Sequence, residues 1–219
     1  MKKVLILIIC FACIVKGYSQ TSKQSPKTYT SAQLRKTINI SAAAFNADNS
    51  KILVSSNESG IFNVNEITIT DKKSIALTHS KEDGMYAVDY LKGSNDFIYA
   101  ADKGGNEDQH LYITSKGNTM PKDITPWPKS NNHFFGWSKD DKSIYITSNK
   151  RDARYFDLLK LDTATWTEKL LYQNDSAYTI SAISKNEKFI TLDKEITTDK
   201  NELYLFNIEV KVITRISND

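Results

Sequence analysis

Cysteine is nearly absent from this chain: of 219 residues only Cys10 and Cys13 are cysteine, and both lie in the first twenty. Beyond them no disulfide and no thiolate metal site can form, so stability there rests on packing. Amphipathic runs of ten or more residues are also missing, which excludes helical repeats. The one long apolar run, Val4 to Val15, has 12 residues and is too short to span a bilayer comfortably. A surplus of one charge is lacking as well, with 29 Lys and Arg against 26 Asp and Glu. Interspersed charge of this kind is an ordinary solvated surface, and it argues against nucleic acid or an anionic membrane as partner.

What is present begins with an address. Lys2 and Lys3 precede the apolar run, and Gly17, Tyr18 and Ser19 follow it with the small residues that a signal peptidase needs. A signal peptide over residues 1–19 is expected, cleaved after Ser19, with export to the periplasm or beyond. A retained anchor and a lipoprotein built on Cys13 are the alternatives; the residues before Cys13 fit a lipoprotein poorly. Cleavage removes Lys2, Lys3 and Lys16, taking 29 basic residues to 26 against 26 acidic ones, a net charge near zero. Residues 20–37 read as a polar lead-in, in which Thr30 to Leu34 could form one helical turn with Ser31 as its cap.

The rest is a fourfold repeat. The large residues Phe45, Tyr90, Trp137 and Ile183 each precede a polar turn, and Ile52, Phe97, Ile144 and Ile190 each follow one; both series step by 45, 47 and 46 residues. The turns are Asp48 to Lys51, Lys92 to Asp96, Lys139 to Lys142 and Lys185 to Lys188, rich in Asp, Asn and Gly, which reverse a chain between strands. After each comes a short β-branched and aromatic run suited to a strand covered on both faces, then an alternating third strand, then an outer strand ending near Leu77, Ile124, Tyr172 and Ile216. Four short antiparallel strands fill such a period, and this is the blade of a β-propeller. The expectation is an all-β fold of four blades, about 38–80, 81–127, 128–175 and 176–219.

Certain segments carry more than a period. Ser55 to Val64, Asp102 to Glu107 continuing through His110-Leu111-Tyr112, Ser148 to Asp152 with Tyr155-Phe156-Asp157, and the lead-in Tyr29 to Leu34 resemble the amino-terminal propeller of secreted bacterial serine peptidases of the prolyl oligopeptidase family, an architecture related to TolB-like propellers. That resemblance implies a seven- or eight-bladed propeller, of which four blades are an open partial arc, followed by an α/β-hydrolase domain. The eight glycines include no pair flanking a serine as Gly-x-Ser-x-Gly, so no nucleophile elbow is present and no residue inherits a catalytic role.

Three histidines, His79, His110 and His133, stand on different blades and layers, which disfavours a free-standing triad. The loop from Asp102 to His110 offers hard oxygen donors but lacks the alternating spacing of a calcium loop, and Gly104-Gly105 read more simply as a chain reversal. No metal and no cofactor are expected. By the resemblance, loops on one face look toward the hydrolase domain and the substrate cavity, which makes Glu107, Arg151 and Asp152 candidates to contact a peptide terminus or a partner domain. Local ion pairs are the plainer reading of the same residues.

Two functions follow as expectations. One is a non-catalytic propeller portion that gates peptide access to a hydrolase domain. The other is a stand-alone TolB-like periplasmic module that binds a protein partner. Uncovered apolar faces at the two ends of an arc would also favour self-association.

Overall fold

A computed structural model describes residues 26–35 and 37–218. The expected signal over residues 1–19 and its cleavage after Ser19 lie outside the described residues. The chain divides into one unit up to Thr37 and a second from Ile38. In the first, α1 (Ser31–Arg35) is a single short helix. Its cap is Thr30 rather than Ser31: Thr30 Oγ1 accepts the Gln33 N–H at 3.1 Å, and Gln33 Oε1 accepts the Thr30 N–H at 2.9 Å. The glutamine three residues on completes a reciprocal capping box, and only Thr30 is spaced to use it.

The second unit is a series of four four-stranded antiparallel sheets, each a meander in chain order. Sheet 1 holds β1 (Ile40–Phe45), β2 (Lys51–Ser56), β3 (Asn63–Thr68) and β4 (Ser74–Ala76). Sheet 2 holds β5 (Met85–Tyr90), β6 (Phe97–Ala101), β7 (His110–Thr114) and β8 (Lys122–Asp123). Sheet 3 holds β9 (Asn132–Trp137), β10 (Ser143–Asp152), β11 (Tyr155–Asp162) and β12 (Glu168–Tyr172). Sheet 4 holds β13 (Thr179–Ile183), β14 (Phe189–Thr197), β15 (Lys200–Asn207) and β16 (Val212–Arg215).

The polar turns between first and second strands work as their chemistry requires. Asn49, Gly93, Asp141 and Glu187 each take positive φ there, and Asp48 Oδ1 and Asp140 Oδ1 accept the N–H two residues on. Each first strand also bulges at the same repeat position. The register skips one residue at Ala43, Val88, Phe135 and Ser181, again in steps of 45, 47 and 46. A bulge bends and twists the strand locally, so every sheet is shaped alike and can stack on its neighbour.

Alternation along the strands splits each sheet into a face toward the preceding sheet and a face toward the next. Three apolar seams result. Leu53, Val64 and Leu77 meet Tyr90, Phe97 and Tyr99 between sheets 1 and 2. Ile98, Leu111 and Ile124 meet Ile144, Ile146 and Leu159 between sheets 2 and 3. Tyr145, Leu158 and Tyr172 meet Ile190, Leu192 and Phe206 between sheets 3 and 4. Burying such side chains is worth about 1.5–3 kcal/mol each. Among the described residues no core cluster joins sheet 4 back to sheet 1. The architecture is therefore an open arc of propeller blades.

Candidate functional site

In each meander the connection after the second strand and the one after the fourth emerge at the same end of the sheet. That end carries all three candidate residues. Arg151 is the last residue but one of the long strand β10, and its guanidinium makes two parallel bonds to Asp157, Nε to Oδ2 and Nη2 to Oδ1, both 2.8 Å. Nη2 also donates to the Asn174 carbonyl at 2.8 Å, and Nη1 lies 3.0 Å from Asp175. Asp157 is only 3% exposed, so its carboxylate depends on this fork and on the Asn174 N–H, 2.8 Å away. The bonds to Asp157 hold the Arg151 pKa above its ordinary value despite the opposing effect of burial. Arg151 thus ties the β10–β11 hairpin to the β12–β13 connection.

Asp152 sits beside it and turns to Arg154. Its oxygens accept from Arg154 Nε at 3.0 Å and Nη2 at 2.7 Å, and these bonds lower its pKa below the usual carboxylate range. Glu107 stands apart on the β6–β7 connection, with φ of 62°, its N–H donating to Asp102 Oδ2 at 3.3 Å. The structure joins Arg151 and Asp152 in one corner. No hydrogen bond or ion pair links Glu107 to either among the described residues. The surrounding loop closes on itself: Asn106 Oδ1 accepts the N–H groups of Lys103 and Asp108, and Asp83 Oδ1 accepts the Gly104 N–H at 2.8 Å. Gly104 and Gly105 both take positive φ, which a side chain resists.

Next to the Arg151 corner, at the seam of sheets 3 and 4, lies an open cavity of about 360 Å³ lined by His133, Arg154, Tyr155, Phe156, Asn174 and Tyr178. His133 and Phe156 rings are 5.4 Å apart, and burial lowers the His133 pKa. Arg154 lies 4.9 Å over the Tyr155 ring. Asn174, 1% exposed, donates from Nδ2 to the Tyr178 carbonyl at 2.6 Å and accepts the Tyr178 N–H at Oδ1, 3.2 Å away. It thereby fixes the loop that forms one wall. Aromatic walls suit stacking, and the Arg154 guanidinium beside them is already paired with Asp152. His110 pairs with Asp123 at 2.7 Å, and no serine hydroxyl bonds to an imidazole among the described residues. Among them, too, no three His, Cys, Asp or Glu side chains are grouped to hold a metal.

Arg154, Asn174 and Tyr178 escaped sequence reasoning. Arg154 is three residues from Arg151 and was within reach as a second loop cation. Asn174 and Tyr178 carry no signal of their own, since their place in the wall depends on where sheet 4 stacks.

Similarity to known proteins bears on this geometry. No family model matches the chain. Over 102 residues it is 33% identical to dipeptidyl aminopeptidase BIII of Pseudoxanthomonas mexicana, a match covering 46% of this chain and 15% of that protein. The chain resembles the propeller of prolyl oligopeptidase-type peptidases. Among solved structures, prolyl oligopeptidase B from Galerina marginata aligns with a TM-score of 0.60 at 12% identity, covering 84% of this chain and 26% of that one. TolB from Acinetobacter baumannii aligns with a TM-score of 0.58 at 16% identity, covering 81% and 43%. The putative TolB from Agrobacterium tumefaciens gives 0.56 at 16%, covering 83% and 63%. Identities this low speak for the β-propeller fold alone. The chain spans less than two thirds of the length of each of these proteins, from 15% of the aminopeptidase to 63% of the Agrobacterium TolB chain.

Proposed function

We propose that these 219 residues form a non-catalytic propeller portion of an exported serine peptidase of the prolyl oligopeptidase type, which limits the peptides that reach a hydrolase domain outside them. One observation carries this reading: an all-β chain without a nucleophile elbow is 33% identical to a dipeptidyl aminopeptidase over 102 residues. In this role the Arg151 corner and the adjoining aromatic cavity face the hydrolase domain or the incoming peptide, with Arg154 and Glu107 as the exposed charges. The second reading, an exported TolB-like module that binds a protein partner, draws support from the 63% coverage of the Agrobacterium TolB chain.

Two measurements test the proposal. The purified chain should neither turn over dipeptide or ester reporters nor label with a serine-directed phosphonate; stoichiometric labelling overturns the non-catalytic assignment. An antibody against the four sheets should recover from the source cells an exported polypeptide that hydrolyses short peptides and spares folded proteins. Recovery of a species without peptidase activity, bound to another protein, favours the second reading instead.

A further inference from the structure

The repeat allows the three seams to be compared position by position at the end of the sheets that carries the Arg151 corner. Val64, Leu111, Leu158 and Leu203 hold one place in the third strands, because each pairs with the residue three after Ile52, Phe97, Ile144 or Ile190. Two residues before the first three stand Phe62, Gln109 and Phe156. Across each seam, four residues before Tyr90, Trp137 and Ile183, stand Tyr86, His133 and Thr179. These positions meet. At the first seam the Phe62 and Tyr86 rings are 5.0 Å apart, and at the second Gln109 Nε2 is 3.3 Å from His133 Nδ1. At the third seam Phe156 again supplies a ring, but Thr179 stands where Tyr86 does. Among the described residues no ring of sheet 4 is paired with Phe156, whose one ring neighbour is His133 of its own sheet. The cavity of about 360 Å³ opens at this place, with Phe156 and Thr179 both in its lining.

We propose that the cavity between sheets 3 and 4 is a subsite for an aromatic side chain of a peptide, whose ring enters where Tyr86 stands at the first seam. The inference rests on the reading that this end of the sheets meets peptides, and it names which peptides. Contact between rings adds attraction beyond the apolar area it covers. The walls are set for it: Phe156 lies against His133, and Tyr178 is braced edge-on by Tyr204 at 5.1 Å. A charged ligand is not matched, because Arg154 is spent on Asp152 and Arg151 on Asp157 and Asp175. Sugar hydroxyls find little either, since Asn174 commits Nδ2 to the Phe156 and Tyr178 carbonyls and Oδ1 to the Ser176 and Tyr178 N–H groups. One donor is left over. Gln109 Nε2, which also donates to the Asn132 carbonyl at 3.1 Å, donates to His133 Nδ1, so the neutral imidazole carries its proton on Nε2. Among the described residues that N–H has no acceptor, and the carbonyl of a peptide group beside the entering ring supplies one.

Fluorine NMR on the purified chain tests it, with the blocked tripeptide acetyl-Gly-(4-fluoro-Phe)-Gly-amide as probe and blocked tripeptides carrying Tyr, Leu, Pro, Lys or Glu as competitors. The probe should bind, and the tyrosine peptide should displace it about three- to tenfold more effectively than the leucine peptide. Thr179→Tyr restores the residue of the first seam and should abolish binding while the β-sheet circular dichroism persists; Phe156→Ala should weaken it. A probe that does not bind overturns the proposal. So does a leucine, proline or charged peptide that competes as well as tyrosine, or binding undiminished in a folded Thr179→Tyr chain. Where a variant loses its sheet signal, the wild-type ranking of competitors decides. The functional reading fails separately: a chain that ranks tyrosine first, but is recovered from the source cells without peptidase activity, keeps the subsite and loses the peptidase assignment.

Discussion

Trp137 on sheet 3 donates its indole N–H to Asp89 Oδ2 on sheet 2 across 2.8 Å. Each of the other seams carries a similar bond: the Tyr90 hydroxyl meets Glu66 Oε2 at 3.1 Å between sheets 1 and 2, and the Tyr145 hydroxyl meets Glu187 Oε1 at 2.7 Å between sheets 3 and 4. Apolar seams are indifferent to sliding by a fraction of a residue, whereas a directional bond with an anionic acceptor is not. These pairs pin the register of one sheet on the next.

Trp137→Phe keeps most of the ring and removes the donor from Asp89. A loss of about 1–3 kcal/mol is expected, read as a lower urea midpoint at unchanged slope. A loss below about 0.5 kcal/mol would show that the bond contributes little to holding the seam.

Leu158 is 0% exposed at the seam of sheets 3 and 4. Leu158→Ala should cost about 2–5 kcal/mol, through lost transfer energy and a residual cavity. Equilibrium unfolding measures it, and an effect near zero would mean that the seam is not packed as described.

Arg151 and Arg154 should separate cleanly. Arg151→Ala strands the buried Asp157 carboxylate and is expected to cost about 2 kcal/mol, below the range for a fully buried pair because the guanidinium is 33% exposed. Arg154→Ala removes an exposed pair and should leave the melting temperature close to that of wild type. Thermal melts of both variants decide, and equal losses would contradict the assigned partners.

Acid should loosen the seam of sheets 3 and 4 in particular. Burial works to raise the Glu187 pKa, but bonds from Lys160 at 2.6 Å and from Tyr145 outweigh it and leave the pKa below 4.5. With the folded value depressed, the unfolded chain binds the proton more readily, so this stabilisation is complete above 4.5 and is lost as pH falls through the folded value. His133, depressed below 6.5 by burial, adds a loss that begins below pH 6.5. Denaturation curves at pH 7, 5.5 and 4 should show stability falling at each step. Glu187→Gln should flatten the step below pH 5.5, and an unchanged step would remove Glu187 as its source.

Much of the fold was legible because the stacking is periodic. The steps of 45, 47 and 46 residues that separate Phe45, Tyr90, Trp137 and Ile183 also separate the four bulges, so a spacing visible in the chain became a shape repeated in space. The helix cap was one residue off because Gln33 selects among candidate caps by spacing. The candidate site was less legible. Arg151 and Asp152 could be singled out, but Arg151 takes one partner six residues on and another 23 residues on, and only the register of β11 and the following connection brings them together.

Residue order alone determined that four similar sheets form, where each turns, and which side chains are apolar on each face, because turn chemistry and strand alternation act over a few residues. Which of those faces are covered was decided only by the tertiary arrangement. Leu158 and Leu203 occupy the same place in the repeat, yet one is enclosed and the other half open, because burial belongs to the neighbour a sheet has and not to the residue itself.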